Sequence, residues 1–121
     1  MNYQSSKEIT SQVLPGVHFE IARMSFARRL ALTAKVKDLL RRVEYLEAGE
    51  DAAQQVEASL LNQQIDELYL EWGLLRVAGL QLDGTDPDPK MVLELAPEPF
   101  TREILAEIKA ECGLTETERK N

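Results

Sequence analysis

The fold is decided by residues 26–73, which read FARRLALTAKVKDLLRRVEYLEAGEDAAQQVEASLLNQQIDELYLEWG. This stretch contains no proline, and Gly49 is the only glycine before its last residue, so it divides into two segments of good helix formers. In each segment apolar residues recur at alternating spacings of four and three, which is the period of one helix face. The recurring positions are Leu32, Val36, Leu39, Val43 and Leu46 in the first segment, and Leu61, Ile65, Leu68, Trp72 and Leu75 in the second, with Val56 extending the second series backwards. The short break at Gly49 predicts an antiparallel αα-hairpin of residues 26–48 and 51–73.

The two halves of this hairpin carry opposite charge. Residues 25–49 have a net charge of +3, whereas residues 50–75 have a net charge of −6 and contain no lysine or arginine. Opposite charge favours pairing of neighbouring helices, although each exposed ion pair stabilises by only about 0.2–1 kcal/mol. Burial of the apolar stripes must therefore supply most of the stability of the pair.

The segments that flank the hairpin predict shorter elements. After Pro15 and Gly16, residues 17–22 alternate apolar and polar side chains, which indicates a half-buried strand. Residues 75–82 are predicted to be extended, to end at an Asp-Gly turn and to pair with that strand. Helices are predicted at residues 89–95, after a proline that suits a first helical turn, and from residue 100 to residue 112.

These elements together predict a mainly α fold. It consists of the central antiparallel αα-hairpin, a minor two-stranded β element and short C-terminal helices. Residues 15–113 are predicted to form a single domain. A flexible segment at residues 1–14 precedes it, because no periodicity is visible there, and a polar tail at residues 114–121 follows it.

Composition excludes several classes of protein. A chain of 121 residues with 44 % hydrophobic residues fits one domain with one core. A net charge of −7 argues against binding to nucleic acid or to an anionic membrane, because both would be repelled. No apolar run is long enough to cross a bilayer. Cys112 is the only cysteine, so no internal disulfide can form, and we expect a cytoplasmic protein.

Residues that could carry chemistry do not group in the sequence. His18 is the only histidine and lies in an alternating strand, where a surface position is expected, while the serines lack a nucleophile motif. Asp83, Asp86 and Asp88 are interrupted by prolines at positions that a calcium loop needs for ligands. We therefore expect no enzyme activity, no bound metal and no cofactor.

The long helices and the last helix carry more apolar side chains than one helix–helix contact requires. Some should close the core, and the remainder should form a patch for a partner or for self-association. The candidate partner-binding residues are Phe26, Leu30, Tyr69, Trp72, Phe100, Ile104 and Ile108.

Three local patterns occur together in this chain. The first is VHFEI at residues 17–21 followed by MSFARR at 24–29; the second is YLEWGL at 69–74 followed by LDG at 82–84; the third is PEPF at 97–100 followed by ILAEI at 104–108. A strand that leads into a helix, a tryptophan that closes a helix, an acidic-Gly turn and two C-terminal helices form one arrangement. Over residues 17–121 it resembles the small tail assembly chaperones of long-tailed bacteriophages.

The resemblance implies a non-enzymatic phage or prophage protein in the cytoplasm of the bacterial host. Such a protein binds the long helical tape-measure protein and keeps it soluble until tail tube subunits polymerise around it. The implied partners are the tape-measure protein and, as a second partner, the tail tube protein. Association with further copies of the chain is expected from the surplus of apolar side chains described above. Two alternatives stay open: a structural virion component, such as a head–tail connector or minor tail protein, and a small helical regulatory or adaptor domain.

Overall fold

A computed structural model describes residues 1–113 of the chain, so the predicted tail at 114–121 lies outside the described residues. The mainly helical prediction is confirmed. In chain order the elements are β1 (Ser6–Thr10), β2 (His18–Ala22), α1 (Phe26–Glu47), α2 (Ala52–Gly73), β3 (Leu74–Ala78), α3 (Pro89–Leu95) and α4 (Glu98–Glu111). No helix within these residues has the length and apolarity needed to cross a membrane.

Of the four helices within residues 1–113, three are capped by the side chain of the residue that precedes them. Ser25 accepts a hydrogen bond from the Arg28 amide before α1, which is the usual role of a serine just before a helix. Asp51 caps α2 in the same way, and Asp88 accepts from the Met91 amide at 2.8 Å before α3. These caps satisfy amides that have no partner within the helix.

The two long helices run antiparallel. At one end, Arg28 near the start of α1 donates from Nη2 to the Trp72 carbonyl at 3.0 Å, and its guanidinium lies 4.8 Å from the centre of the Trp72 ring. At the other end, Gln55 in α2 donates to the Gly49 carbonyl at 2.8 Å. The first contact satisfies a carbonyl in the last turn of α2 and covers one face of the indole.

The β element has three antiparallel strands in the order β1-β2-β3, so the two-stranded prediction is wrong. The prediction of a flexible segment at residues 1–14 is wrong for its middle, because Ser6 to Thr10 pair with Ala22 to His18. The sequence of β1 does not alternate between apolar and polar residues, so the strand was not predicted. β1 lies at the edge of the sheet, and its polar side chains reach solvent on both faces.

β3 is also shorter than the predicted extended stretch 75–82. It ends at Ala78 because Gly79 follows with φ 84°, a conformation that favours glycine. A Cβ at Gly79 would collide with the Gly16 carbonyl, which lies in the turn before β2. The predicted Asp83-Gly84 turn is present, with φ values of 51° and 76°.

The loop after β1 is fixed to α4 by one carboxylate. Ser11 donates from Oγ to Glu103 Oε1 at 2.6 Å, and the Gln12 amide donates to Oε2 at 2.7 Å. The Ser11 hydroxyl also accepts from the Val13 and Leu14 amides at 3.1 and 3.0 Å. These hydrogen bonds attach the N-terminal part of the chain to the last helix.

One core joins the sheet to the helices. Its largest fully buried side chains are Phe19, Phe100, Ile21, Leu32, Leu70, Ile104, Ile108 and Val92. Leu39 and Leu68 are half-buried against this core. Two positions of the predicted stripes are wrong: Leu75 is 54 % exposed because α2 has already ended, and Val56 is 62 % exposed because Ala58 takes the buried position.

The expected charge pairing between α1 and α2 is not observed. Within residues 1–113, no ion pair joins the two helices. Their buried apolar stripes make the contact, while most of the charged side chains of both helices remain on exposed positions.

Candidate functional site: a groove along α4

A groove of about 790 Å³ lies between α2, α3 and α4. Its apolar part comes from Leu93, Ala96, Leu105 and Ala106, and charged side chains stand around it. The lining residues are Gln63, Asp66, Leu93, Glu94, Ala96, Glu98, Thr101, Arg102, Leu105, Ala106 and Lys109. The groove therefore offers an apolar floor with a polar rim.

The spacing of the α4 residues shows the direction of the groove. Lining residues recur from Glu98 through Thr101 and Leu105 to Lys109, which is one face of a helix followed over its length. The buried Thr101 hydroxyl donates to the Val92 carbonyl at 3.1 Å and so ties the end of α3 to α4. The groove consequently runs along α4, with α2 and α3 as its walls.

Two ion pairs lie at the rim of the groove, one between α4 and α2 and one within α4. Lys109 Nζ lies 3.0 Å from Asp66 Oδ1, which links α4 to α2, and 5.1 Å from the centre of the Tyr69 ring. On α4, Arg102 contacts Glu98 Oε1 through Nε at 2.9 Å and Nη2 at 2.6 Å. Both signs of charge therefore flank the apolar floor, which suits an amphipathic partner rather than a single ion.

The structure separates the seven predicted partner-binding residues into three environments. Phe26 and Leu30 are 73 % and 53 % exposed on α1, and Trp72 is half-buried beneath Arg28. The remaining predicted residues are buried: Tyr69, Phe100, Ile104 and Ile108. None of the seven lines the groove along α4.

The buried face of α4 packs against the sheet and the end of α2. Phe100 meets Phe19 of β2 edge-on, with ring centres 6.0 Å apart. Ile108 packs against Gly73, where even a single added Cβ would lie 2.5 Å from its Cγ2. In this fold Phe100, Ile104 and Ile108 therefore stabilise the core, and the neighbouring face of the helix lines the open groove.

Sequence reasoning missed that neighbouring face. The sequence does contain a weak signal for this face. Thr101 and Ala106 are small residues near Leu105, and Glu98 and Lys109 place opposite charges at the two ends of the segment. This face was missed because it is less apolar than the face of α4 that enters the core. Its exposure also depends on where α3 packs, which the sequence alone does not show.

The other reactive side chains lie apart from the groove. His18 Nδ1 is 3.1 Å from Thr10 Oγ1 on the sheet. Burial raises the pKa of the Cys112 thiol, while the charge of Arg29 lowers it and that of Glu111 raises it further, so the thiol is protonated at neutral pH. Within the described residues, no three potential metal-ligating side chains group together.

No protein-family model, no curated protein and no solved structure matches this sequence.

Proposed function

We propose that this chain is a non-enzymatic binding protein that holds an amphipathic helix in the groove along α4. The observation that carries the proposal is the open apolar floor of Leu93, Ala96 and Leu105, flanked by charged side chains of both signs. Helices bind such grooves through side chains at i, i+3 or i+4 and i+7. The 14 residues of α4 extend about 21 Å, enough to lie beside about four turns of a partner helix.

The partner in this proposal is the tape-measure protein of a long-tailed phage, and the chain acts as a tail assembly chaperone in the bacterial cytoplasm. The resemblance of residues 17–121 to that family supports this choice of partner. A tape-measure protein is long and helical, so its apolar stripes need covering before assembly, and the groove supplies a surface of that kind. Contact with the tail tube protein is the second part of the proposed role.

A matched pair of variants in α4 tests the groove. Ala106 lines the groove and is exposed, whereas Ala110 is exposed on the same helix outside the groove. Ala106→Arg places a long charged side chain on the floor, and Ala110→Arg makes the same chemical change beside it. Both variants should fold, because neither alanine is buried.

The assay is co-expression with a long helical protein, to be sought in the reading frame immediately downstream, followed by measurement of its solubility and co-purification. We expect wild type and Ala110→Arg to keep that protein soluble and to co-purify with it, and Ala106→Arg to lose at least about tenfold in recovered complex. Equal recovery with both variants would refute the groove as the site. If the downstream protein is equally soluble without this chain and does not bind it, the chaperone proposal fails, and a structural virion component takes its place.

A further inference from the structure

The two long helices carry matching strips of side chains on their outer surfaces, all of them exposed except Glu67, which is half-buried. The basic strip on α1 consists of Phe26, Leu30, Lys37 and Arg41, and the acidic strip on α2 consists of Val56, Leu60, Glu67 and Glu71. Each strip has successive spacings of four, seven and four residues, so its four positions fall within an arc of about 60° and a length of about 22 Å. In both strips the apolar pair comes first and the charged pair second.

The apolar pairs of both strips face solvent. Phe26 and Leu30 are 73 % and 53 % exposed, and Val56 and Leu60 are 62 % and 57 % exposed. Large apolar side chains at such exposure, repeated along one line of a helix, are typical of an interaction surface. None of them lines the groove along α4.

Among the described residues, the charged pairs of the two strips have no ionic partner. Within residues 1–113, Lys37 and Arg41 form no ion pair, and neither do Glu67 and Glu71. The two glutamates also line a hollow of about 300 Å³ together with Leu39, Gln64 and Leu68. A hollow with leucine in its floor and carboxylates at its edge accommodates the alkyl stem and charged end of a lysine or arginine.

We propose that the basic strip of one copy of this chain binds the acidic strip of a second copy, with the two helices parallel. In that orientation the apolar pairs meet each other and Lys37 and Arg41 meet Glu67 and Glu71. The opposite orientation would place charges on apolar side chains. Because α1 and α2 of one chain run antiparallel, a chain cannot make this pairing with itself, and a second copy is required.

The contact joins two different surfaces, so a pair of copies still has one unoccupied strip of each kind. Further copies can then add until a ring closes, or they form an open filament. It does not depend on the proposed function, since it needs no tape-measure protein. Self-association should weaken as salt increases, because exposed charges are screened.

Charge reversal on each strip tests the pairing in the isolated full-length chain. Lys37→Glu/Arg41→Glu makes both strips acidic, and Glu67→Lys/Glu71→Lys makes both strips basic. Each variant should lose at least about tenfold in association constant by sedimentation velocity. An equimolar mixture should recover association, because each acidic strip then meets a basic one.

The matched control is Lys35→Glu/Arg42→Glu, the same change of charge at exposed positions of α1 outside the strip. It should associate within about threefold of wild type, and far-UV circular dichroism should show that all variants keep their helices. The proposal is overturned if wild type stays monomeric, if the strip variants associate like the control, or if the mixture does not recover. Ala106→Arg should self-associate normally, which separates this contact from the groove.

Discussion

The close packing of Gly73 in α2 against α4 predicts the effect of adding one methyl group. Gly73, the last residue of α2, packs against Ile108 of α4, whose side chain is fully buried. A Cβ added at Gly73 would lie 2.5 Å from Cγ2, 2.9 Å from Cγ1 and 3.0 Å from Cδ1 of that isoleucine. The Ile108 side chain would therefore have to move, although it is fully buried in the core.

Two opposing terms set the size of the effect of Gly73→Ala. Alanine is favoured over glycine in a helix by up to about 1 kcal/mol. Extra volume in a packed core costs about 1–3 kcal/mol. Because Ile108 is enclosed, the steric term should prevail, and we expect the free energy of unfolding to fall by about 1–2 kcal/mol.

A double-mutant cycle isolates the collision. Ile108→Ala alone should cost about 2–5 kcal/mol, and it removes all three atoms that the new Cβ would meet. The double variant should therefore be about 1–3 kcal/mol more stable than the sum of the single effects predicts. Urea denaturation followed by circular dichroism gives each free energy.

Gly49→Ala is the matched control, because the atoms near its Cβ belong to the flexible end of Gln54. It should be close to neutral. The packing argument fails if Gly73→Ala stabilises the protein, or if the coupling with Ile108→Ala is zero.

Three further effects follow from burial and hydrogen bonding. Leu32→Ala should lower the free energy of unfolding, measured by urea denaturation, by about 2–5 kcal/mol. Leu39→Ala and Leu68→Ala should lower it less, because both leucines are only half-buried. Equal or larger losses at these two sites would contradict the observed packing. Ser11→Ala should cost about 1–3 kcal/mol, because two amides lose their acceptor, and unchanged stability would show that the loop finds another partner. Burial raises the pKa of Cys112, so the unfolded chain loses the thiol proton at a lower pH than the folded protein does. The free energy of unfolding should therefore fall as the pH rises above the ordinary thiol pKa, and stop falling above the folded-state pKa. Cys112→Ala should remove this pH dependence.

Local patterns predicted the helices because each long helix shows its period within its own sequence. Leu32, Val36 and Val43 are buried as their spacing predicts. β1 could not be predicted in this way, because its stability comes from pairing with β2 and from the carboxylate of Glu103 on α4. A contact between residues about ninety positions apart leaves no trace in the periodicity of either segment.

The groove was missed for a related reason. The apolar face of α4, with Phe100 and Ile104, is visible in the sequence, but a sequence does not state whether an apolar face is covered. The sheet and α2 cover that face, and α3 leaves the next face open. By contrast, the exposure of Phe26 and Leu30 was predictable, since both lie outside the stripe that packs on α2.

The two proposed surfaces lie on different sides of α2. Asp66 points to α4, where it contacts Lys109 at 3.0 Å, and the next residue, Glu67, lines the hollow beside Leu39 of α1. Consecutive residues of a helix point about 100° apart, so one helix forms a wall of the groove with one side and the acidic strip with another. A partner in the groove therefore need not displace a second copy. Changes at Ala106 should act on partner binding and charge reversal at Glu67 on self-association, each without the other.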